Sequence, residues 1–351
     1  MTSLEEIIKS KAPLSIAEFM RLALNHEDYG YYKAQKPIGL KGDFTTAPEI
    51  SQFFGEMLGL WAVIVWEQLG KPSHFKWVEF GPGRGTLLKD AFRITKTIRG
   101  FHEALRFSFV EINPYFKELQ REIAPHAKWH SSWQDCLREL TQDSIPFVLI
   151  ANEFLDALPI HQYDYKENQW FEKFVSFDDG WKYVEHPLED STIPETTRTK
   201  SRENNSNTFE ICPEAQTLIQ TLSQILKIQQ GAALFIDYGY AQGHGDSFQA
   251  IYKGQPVSPL THIGEADLTA HVDFGNLKEV SGTPYGPIPQ GEFLNNLGLF
   301  QWKEKLKAQS TLDKKALLEA QYQRLTHPQQ MGQLFKVMGL AHPSLQLVGF
   351  S

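Results

Sequence analysis

The sequence predicts an α/β protein built on a doubly wound, mostly parallel sheet with antiparallel edge strands. Three observations predict it. The segments FKWVEF (75–80), RFSFVEI (106–112), PFVLIAN (146–152) and ALFIDYG (233–239) are near-continuous apolar runs, as expected of strands covered on both faces. Helical stretches after Gly85, Pro114 and Pro213 lie between them, so β-α-β units repeat. A turn with glycines at alternate positions, Gly81, Gly83 and Gly85, joins the first run to the first of these helices. A shorter strand near Lys128–His130 would bring the parallel set to five.

The remaining elements follow in chain order. Residues 4–24 suggest one or two helices, with Ser15 as a cap and Ile16, Phe19, Met20, Ala23 and Leu24 on one face. NHEDYGYYKAQKPIGLKGDF (25–44) is polar, aromatic and punctuated by glycine, which reads as an ordered loop and a candidate binding surface. TTAPEISQFFGEMLGLWAVIVWEQLG (45–70) reads as a single helix: Thr46 with Glu49 forms a capping box and Pro48 falls in the first turn. Residues 161–208 read as an insertion, first as antiparallel hairpins turning at Asp179-Gly180, then as a polar loop over 188–208. Further on, SFQAIYKGQ can supply edge strands and EADLTAHVDFGNL (265–277) a return to the sheet. Two amphipathic helices, near FLNNLGLFQWKEKL and LDKKALLEAQYQRL, precede the apolar cluster MGQLFKVMGL.

Composition narrows the function. The chain has 351 residues and a net charge of −8, which disfavours a role in binding nucleic acid along its phosphate backbone. Cys136 and Cys212 are far apart and form no C-x-x-C pair, so neither a disulfide framework nor a zinc site is expected. No apolar run reaches the roughly 18 residues of a membrane helix, and the N-terminal stretch carries acids where a signal peptide has its apolar core. The expectation is a protein of the bacterial cytoplasm, or of the mitochondrial matrix if eukaryotic, with no membrane insertion.

Three kinds of ligand use a glycine turn of this sort. A dinucleotide fingerprint places its third glycine where this chain has Thr86, and no Gly-Lys-Ser/Thr ending follows Gly81, so phosphate ligands fit poorly. The pattern E-x-G-x-G-x-G, closed by Glu79, suits S-adenosylmethionine: an acid beside the turn can take its ammonium while helix-terminal N–H groups take its carboxylate. A nucleotide site and a turn that serves packing alone remain as alternatives. In open parallel sheets ligands sit beyond the carboxyl ends of the strands. Those ends carry Glu79, Glu111, Asn152 with Glu153, and Asp237. Glu111, ending the second strand, is placed to accept hydrogen bonds from a ribose diol. Glu153 and Asp156 in NEFLDALP could bind a cationic substrate and accept its proton, or merely cap a turn. His271, two residues before Asp273, could belong to an acid–base pair, although strand alternation explains it nearly as well. His126 and His130 lack the surroundings of a zinc helix, and no metal is expected.

GDFTTAPEISQFFGEMLGLW, VEFGPGRGTLLKDAFR, VEINP, IANEFLDALPIHQY, LFIDYGY and EADLTAHVDFGNL occur in the order seen in the MidA-like methyltransferases, and from about residue 14 to 340 the chain resembles that family. The resemblance implies a Rossmann-like class I methyltransferase fold with an N-terminal helical cap. It divides the chain into a segment with a cofactor-covering loop (1–74) and a methyltransferase domain (75–351). It implies S-adenosyl-L-methionine as cofactor, held by Gly81, Gly83, Gly85 and Glu111, with Glu79 and Asn152 at the strand ends and Asp43 and Thr46 in the covering segment. The NEFLDALP acids Glu153 and Asp156 and the DLTAHVDF segment (267–274) would line the substrate side, with His271 as a weaker proton acceptor. The implied activity is protein arginine methylation, with a respiratory complex I core subunit as the protein partner and room for a homodimer. An assembly chaperone that keeps the fold, and a methyltransferase for glutamine or a small molecule, stay open as alternatives.

Overall fold

A computed structural model describes residues 3–33, 46–193, 195, 197, 198, 208–242 and 245–350. Its central sheet contains the five expected parallel strands, β2 (Phe75–Phe80), β3 (Leu105–Val110), β4 (Lys128–His130), β5 (Phe147–Asn152) and β10 (Gly231–Tyr240). In space they run β4-β3-β2-β5-β10. The chain therefore builds outward from β2 to β4 and then crosses to β5. Strand order reverses between β2 and β5, and a crevice opens there at the carboxyl ends. Alternate side chains of β2 enter two cores. Phe75 and Trp77 join one with α4 (Gln52–Gln68) and α5 (Thr86–Thr95), while Val78 and Phe80 join the other with α8 (Trp133–Leu140) and the helix Pro213–Leu226.

The far edge of the sheet differs from expectation. MGQLFKVMGL forms β16 (Phe335–Ala341), which pairs antiparallel with β10 along its whole length and carries β15 (Tyr285–Pro289) on its other side. With that edge taken, SFQAIYKGQ has no place on the central sheet. β11 (Gln249–Tyr252) and β12 (Gln255–Val257) instead make a separate three-stranded sheet with β13 (Asp267–Thr269). Only the pair Val272–Asp273, β14, returns to β10. The tail holds three helices rather than two, because Gly298, at φ 93°, separates Gln290–Asn296 from Leu299–Ala308 ahead of Leu312–Thr326.

Two parts of the N-terminal segment pack in different places. Helix α2 (Ile16–Asn25) begins with the expected cap, a box in which Ser15 Oγ accepts from Glu18 N and Glu18 Oε2 accepts from Ser15 N. Its apolar face, with Ile16, Phe19, Met20 and Leu24, shares a core with Val175 of the inserted strands and Leu268 of β13. The insertion is antiparallel, as predicted: β6 (His161–Lys166), β7 (Gln169–Asp178), β8 (Gly180–Leu188) and β9 (Thr208–Ile211), with Leu14–Ser15 paired to β7. Most of the polar 188–208 stretch lies outside the described residues.

The helix expected over 45–70 is two. A short α3 (Ala47–Ile50) precedes α4, and Ser51 between them is extended at φ −157° and caps α4 by accepting from Phe53 N. The Thr46–Glu49 capping box does not form. Thr46 makes no side-chain cap, and Glu49 Oε1 accepts at 2.5 Å from Thr86 Oγ1 at the start of α5. The carboxylate thus ties α3 to the glycine turn instead of serving its own helix.

Candidate active site

The crevice at the strand reversal is a cavity of about 430 Å3, within the range of roughly 300–1,000 Å3 usual for small-molecule sites. Gly81 and Gly83 line it, with Glu111, Glu153, Asp156, Tyr238 and Thr46. Its charge is one-sided. Among the described lining residues five are acids and one, Lys33, is basic, which favours cationic ligands.

The three glycines all take left-handed conformations, with φ of 63°, 53° and 75° at Gly81, Gly83 and Gly85, which other residues adopt only at a cost. Gly83 faces open space where a Cβ would project, as a loop approached closely by a ligand must. Gly85 serves packing: a Cβ there would meet Ile123 Cδ1 at 2.8 Å, and the residue does not line the cavity. It is the N-cap of α5 and supplies no side-chain cap, so first-turn N–H groups of that helix are available to an anion.

Glu111 is held by its own strand-to-helix turn. Its Oε1 accepts from Asn113 N at 2.8 Å and its Oε2 from Gln120 Nε2 at 3.3 Å. Gln120 also donates to Gly83 O at 2.6 Å and accepts from Trp129 Nε1 at 2.8 Å, binding the acid to the glycine turn. Burial raises the Glu111 pKa, opposed by the Asn113 backbone N–H and the Gln120 amide.

Glu79 departs from expectation. It does not line the cavity; its carboxylate is buried on the α4 side of the sheet and accepts from Trp77 Nε1 at 3.2 Å. Burial raises its pKa to about 7. Asn152 also stands back from the cavity wall, donating from Nδ2 to Glu153 Oε1 at 3.1 Å.

Both NEFLDALP acids line the cavity. Glu153 follows β5 at φ 50°, a strained conformation for a residue other than glycine. Its backbone N–H donates to Ile236 O, and its Oε1 accepts from Ala47 N at 3.0 Å, so the first residue of α3 rests on this carboxylate. Asp156 Oδ2 accepts from Tyr238 OH at 2.6 Å. Burial lifts these two acids to about 7 and about 6. Asp237 builds the turn beneath them: its Oδ2 accepts from the N–H groups of Phe154, Leu155 and Asp156, and its Oδ1 from Tyr238 N. It does not line the cavity.

His271 does not line this cavity. It stands behind Tyr238, edge-on at 5.3 Å between ring centroids, and borders a separate small cavity with Glu210 and Cys212. Burial and Lys336 lower its pKa. Asp43 lies outside the described residues. Tyr32 falls in the loop expected as a binding surface, Asn113 in VEINP and Asp267 in the DLTAHVDF segment expected on the substrate side, whereas Gln120 and Tyr238 were not among the expected site residues. Tyr238 had a signal, following the strand-end acid in FIDYG; Gln120, mid-helix and 37 residues from Gly83, had none.

Residues 57–287 match the family described as "Putative S-adenosyl-L-methionine-dependent methyltransferase". The chain belongs to that family. The methyltransferase is 33% identical to the human "Protein arginine methyltransferase NDUFAF7, mitochondrial", over 97% of this chain and 82% of that protein. It is 32% identical to the zebrafish protein of the same name, over 94% of this chain and 83% of the other. Among solved structures, a Burkholderia thailandensis protein crystallised with S-adenosyl-homocysteine superposes with a TM-score of 0.81 at 22% identity, covering 98% of this chain and 92% of that one, which establishes the class I fold. The residues fit the cofactor of the family. At the end of β5 a buried acceptor, Asn152 Oδ1, has no hydrogen-bond partner, as suits a ligand bearing an ammonium group.

Proposed function

We propose that this S-adenosyl-L-methionine-dependent methyltransferase modifies an arginine side chain of a protein, and that the residues facing the crevice divide into a cofactor end and an acceptor end. Gly81, Gly83 and the open start of α5 hold the amino-acid end of the cofactor, Glu111 its ribose, and Thr46 covers it. Asn152 Oδ1, which has no other partner, acts from beneath as an acceptor toward the ammonium, while Glu79, buried against Trp77, does not reach it. The observation that carries the arginine reading is the pairing of half-buried Glu153 and buried Asp156 on the cavity wall, held by a backbone and a tyrosine donor. The names of the curated relatives support the same acceptor.

The cofactor supplies an electrophilic methyl group on a positively charged sulfur. Its transfer would leave the bonding electrons on sulfur, join the methyl to the acceptor nitrogen and require that nitrogen to lose one proton. An arginine guanidinium stays protonated in water up to a pKa above about 12, so its attacking nitrogen needs help. Glu153 and Asp156 orient the planar group, draw its charge toward the nitrogens that do not react, and give the departing proton a carboxylate to land on. Their raised pKa values make them better bases than carboxylates in water. The family resemblance extends the proposal to a respiratory complex I subunit as partner, in the bacterial cytoplasm or the mitochondrial matrix. A labelled methyl-transfer assay on extract of a deletion strain, followed by mass spectrometry, tests the reading. Label on arginine of a protein is expected; label on glutamine or a small molecule would overturn it.

A further inference from the structure

One side of the cavity is not made by the central sheet. Tyr32, in a single turn Tyr31–Lys33 after α2, and Asp267, at the start of β13, both line it, and Tyr32 OH donates to Asp267 Oδ1 at 3.0 Å. Neither belongs to a strand end of the parallel set. The backbone carbonyl of Tyr32 accepts from Asn113 Nδ2 at 2.9 Å, and Asn113 N donates to Glu111, so the tyrosine is anchored from the cofactor end. Ala270 N, three residues after Asp267, donates to Asp156 O at 3.0 Å, which fixes β13 against the turn bearing the NEFLDALP acids. The cavity thus carries two tyrosine–aspartate pairs, Tyr238 with Asp156 and Tyr32 with Asp267.

We propose that Asp267 is a second acceptor-binding carboxylate, which grips the guanidinium from the side opposite Glu153 and Asp156, and that Tyr32 is the positioning residue that sets its orientation. This rests on the arginine reading above and adds to it a specificity device. A guanidinium presents five N–H donors in a rigid plane, and carboxylates on two sides of it can satisfy donors on two edges at once. A lysine ammonium, a point charge with three donors, gains less from the second carboxylate. A glutamine amide, with two donors and an acceptor oxygen, is repelled by it. Specificity for arginine then comes from the small sheet and the N-terminal turn, while the core sheet supplies cofactor binding and proton acceptance.

The test uses the full chain loaded with S-adenosyl-homocysteine and three probes, N-acetylarginine amide, N-acetyllysine amide and N-acetylglutamine amide, titrated by NMR, with affinity for S-adenosyl-homocysteine measured separately by calorimetry. The wild-type protein is expected to prefer the arginine probe. Asp267→Asn is expected to weaken that probe at least tenfold, and Tyr32→Phe about threefold, each leaving affinity for S-adenosyl-homocysteine within twofold. Asp267→Glu should restore part of the loss. If wild-type protein binds the arginine probe and Asp267→Asn binds it equally well, the role of Asp267 is overturned and the arginine reading stands. If wild-type protein binds none of the probes or prefers another, the arginine reading falls and this assignment with it. Should Asp267→Asn lose S-adenosyl-homocysteine as well, its fold has failed and Tyr32→Phe decides: unchanged arginine affinity there overturns the proposal.

Discussion

At the scale of single residues, burial decides what the acids can do. Glu153→Gln keeps the size of the side chain and leaves an oxygen for Ala47 N, so the fold and cofactor affinity are expected to survive. Turnover should drop by about 100-fold, in line with the 10²–10⁴ usual for a positioned acid or base. Steady-state kinetics beside calorimetry separates the two. The raised pKa values give a direction for pH as well. The carboxylates must be ionised to hold a guanidinium, so kcat/KM should rise from pH 5.5 to 8 through the window of about 6 to about 7. A flat profile would remove them from the rate-determining chemistry. Gly83→Val forces a branched side chain into a left-handed conformation and into the cavity, and calorimetry should find S-adenosyl-homocysteine affinity reduced at least tenfold. Gly83 and Glu111 were legible because a turn geometry and a strand end fix their surroundings locally. The burial of Glu79 was not: a side chain at a strand end can point to the ligand or away from it, and only the face of the sheet decides.

At the scale of elements, the covering segment and its support are the informative pieces. α3 is held at both ends by carboxylates from elsewhere or toward elsewhere, Glu153 on Ala47 N and Glu49 on Thr86. A helix of one turn has little stability of its own, so these two bonds define where it sits. α4 approaches α5 closely through Gly55 and Gly59, where a Cβ would come within 2.6 Å of Leu87 O and 2.8 Å of Ala91 Cα. Gly59→Val is therefore expected to destabilise the protein by about 3 kcal/mol or more, read by urea unfolding, through overpacking of a contact between two backbones. The stripe of apolar residues along 50–65 showed that α4 is buried, but the break at Ser51 was hidden. Ser51, five residues later, caps α4 with no acid three residues on, and Glu49, which the pattern assigns to a box with Thr46, bonds Thr86 instead.

At the scale of the whole molecule, several buried carboxylates make stability depend on pH in an unusual sense. Glu79 binds its proton up to about 7 in the folded chain against an ordinary 4.5, so between those values the folded state holds more protons than the unfolded one. Its contribution is most favourable below about 4.5 and is lost as pH rises through about 7. Glu79→Gln, which removes the titration, should stabilise the cofactor-free protein at pH 8 by on the order of 1–3 kcal/mol and change it little at pH 5, measured by urea unfolding at both values. The sequence by itself determined the parallel sheet, its strands, the inserted hairpins and the cofactor turn, because each depends on apolar runs and glycines that act on their immediate neighbours. Only the tertiary structure decided which edge β16 takes, why the strands after Gly239 form a sheet of their own, and how Tyr32 and Asp267 come to face the acids of NEFLDALP. Those outcomes depend on partners more than 80 residues apart, and no local pattern records which of several compatible surfaces wins the contact.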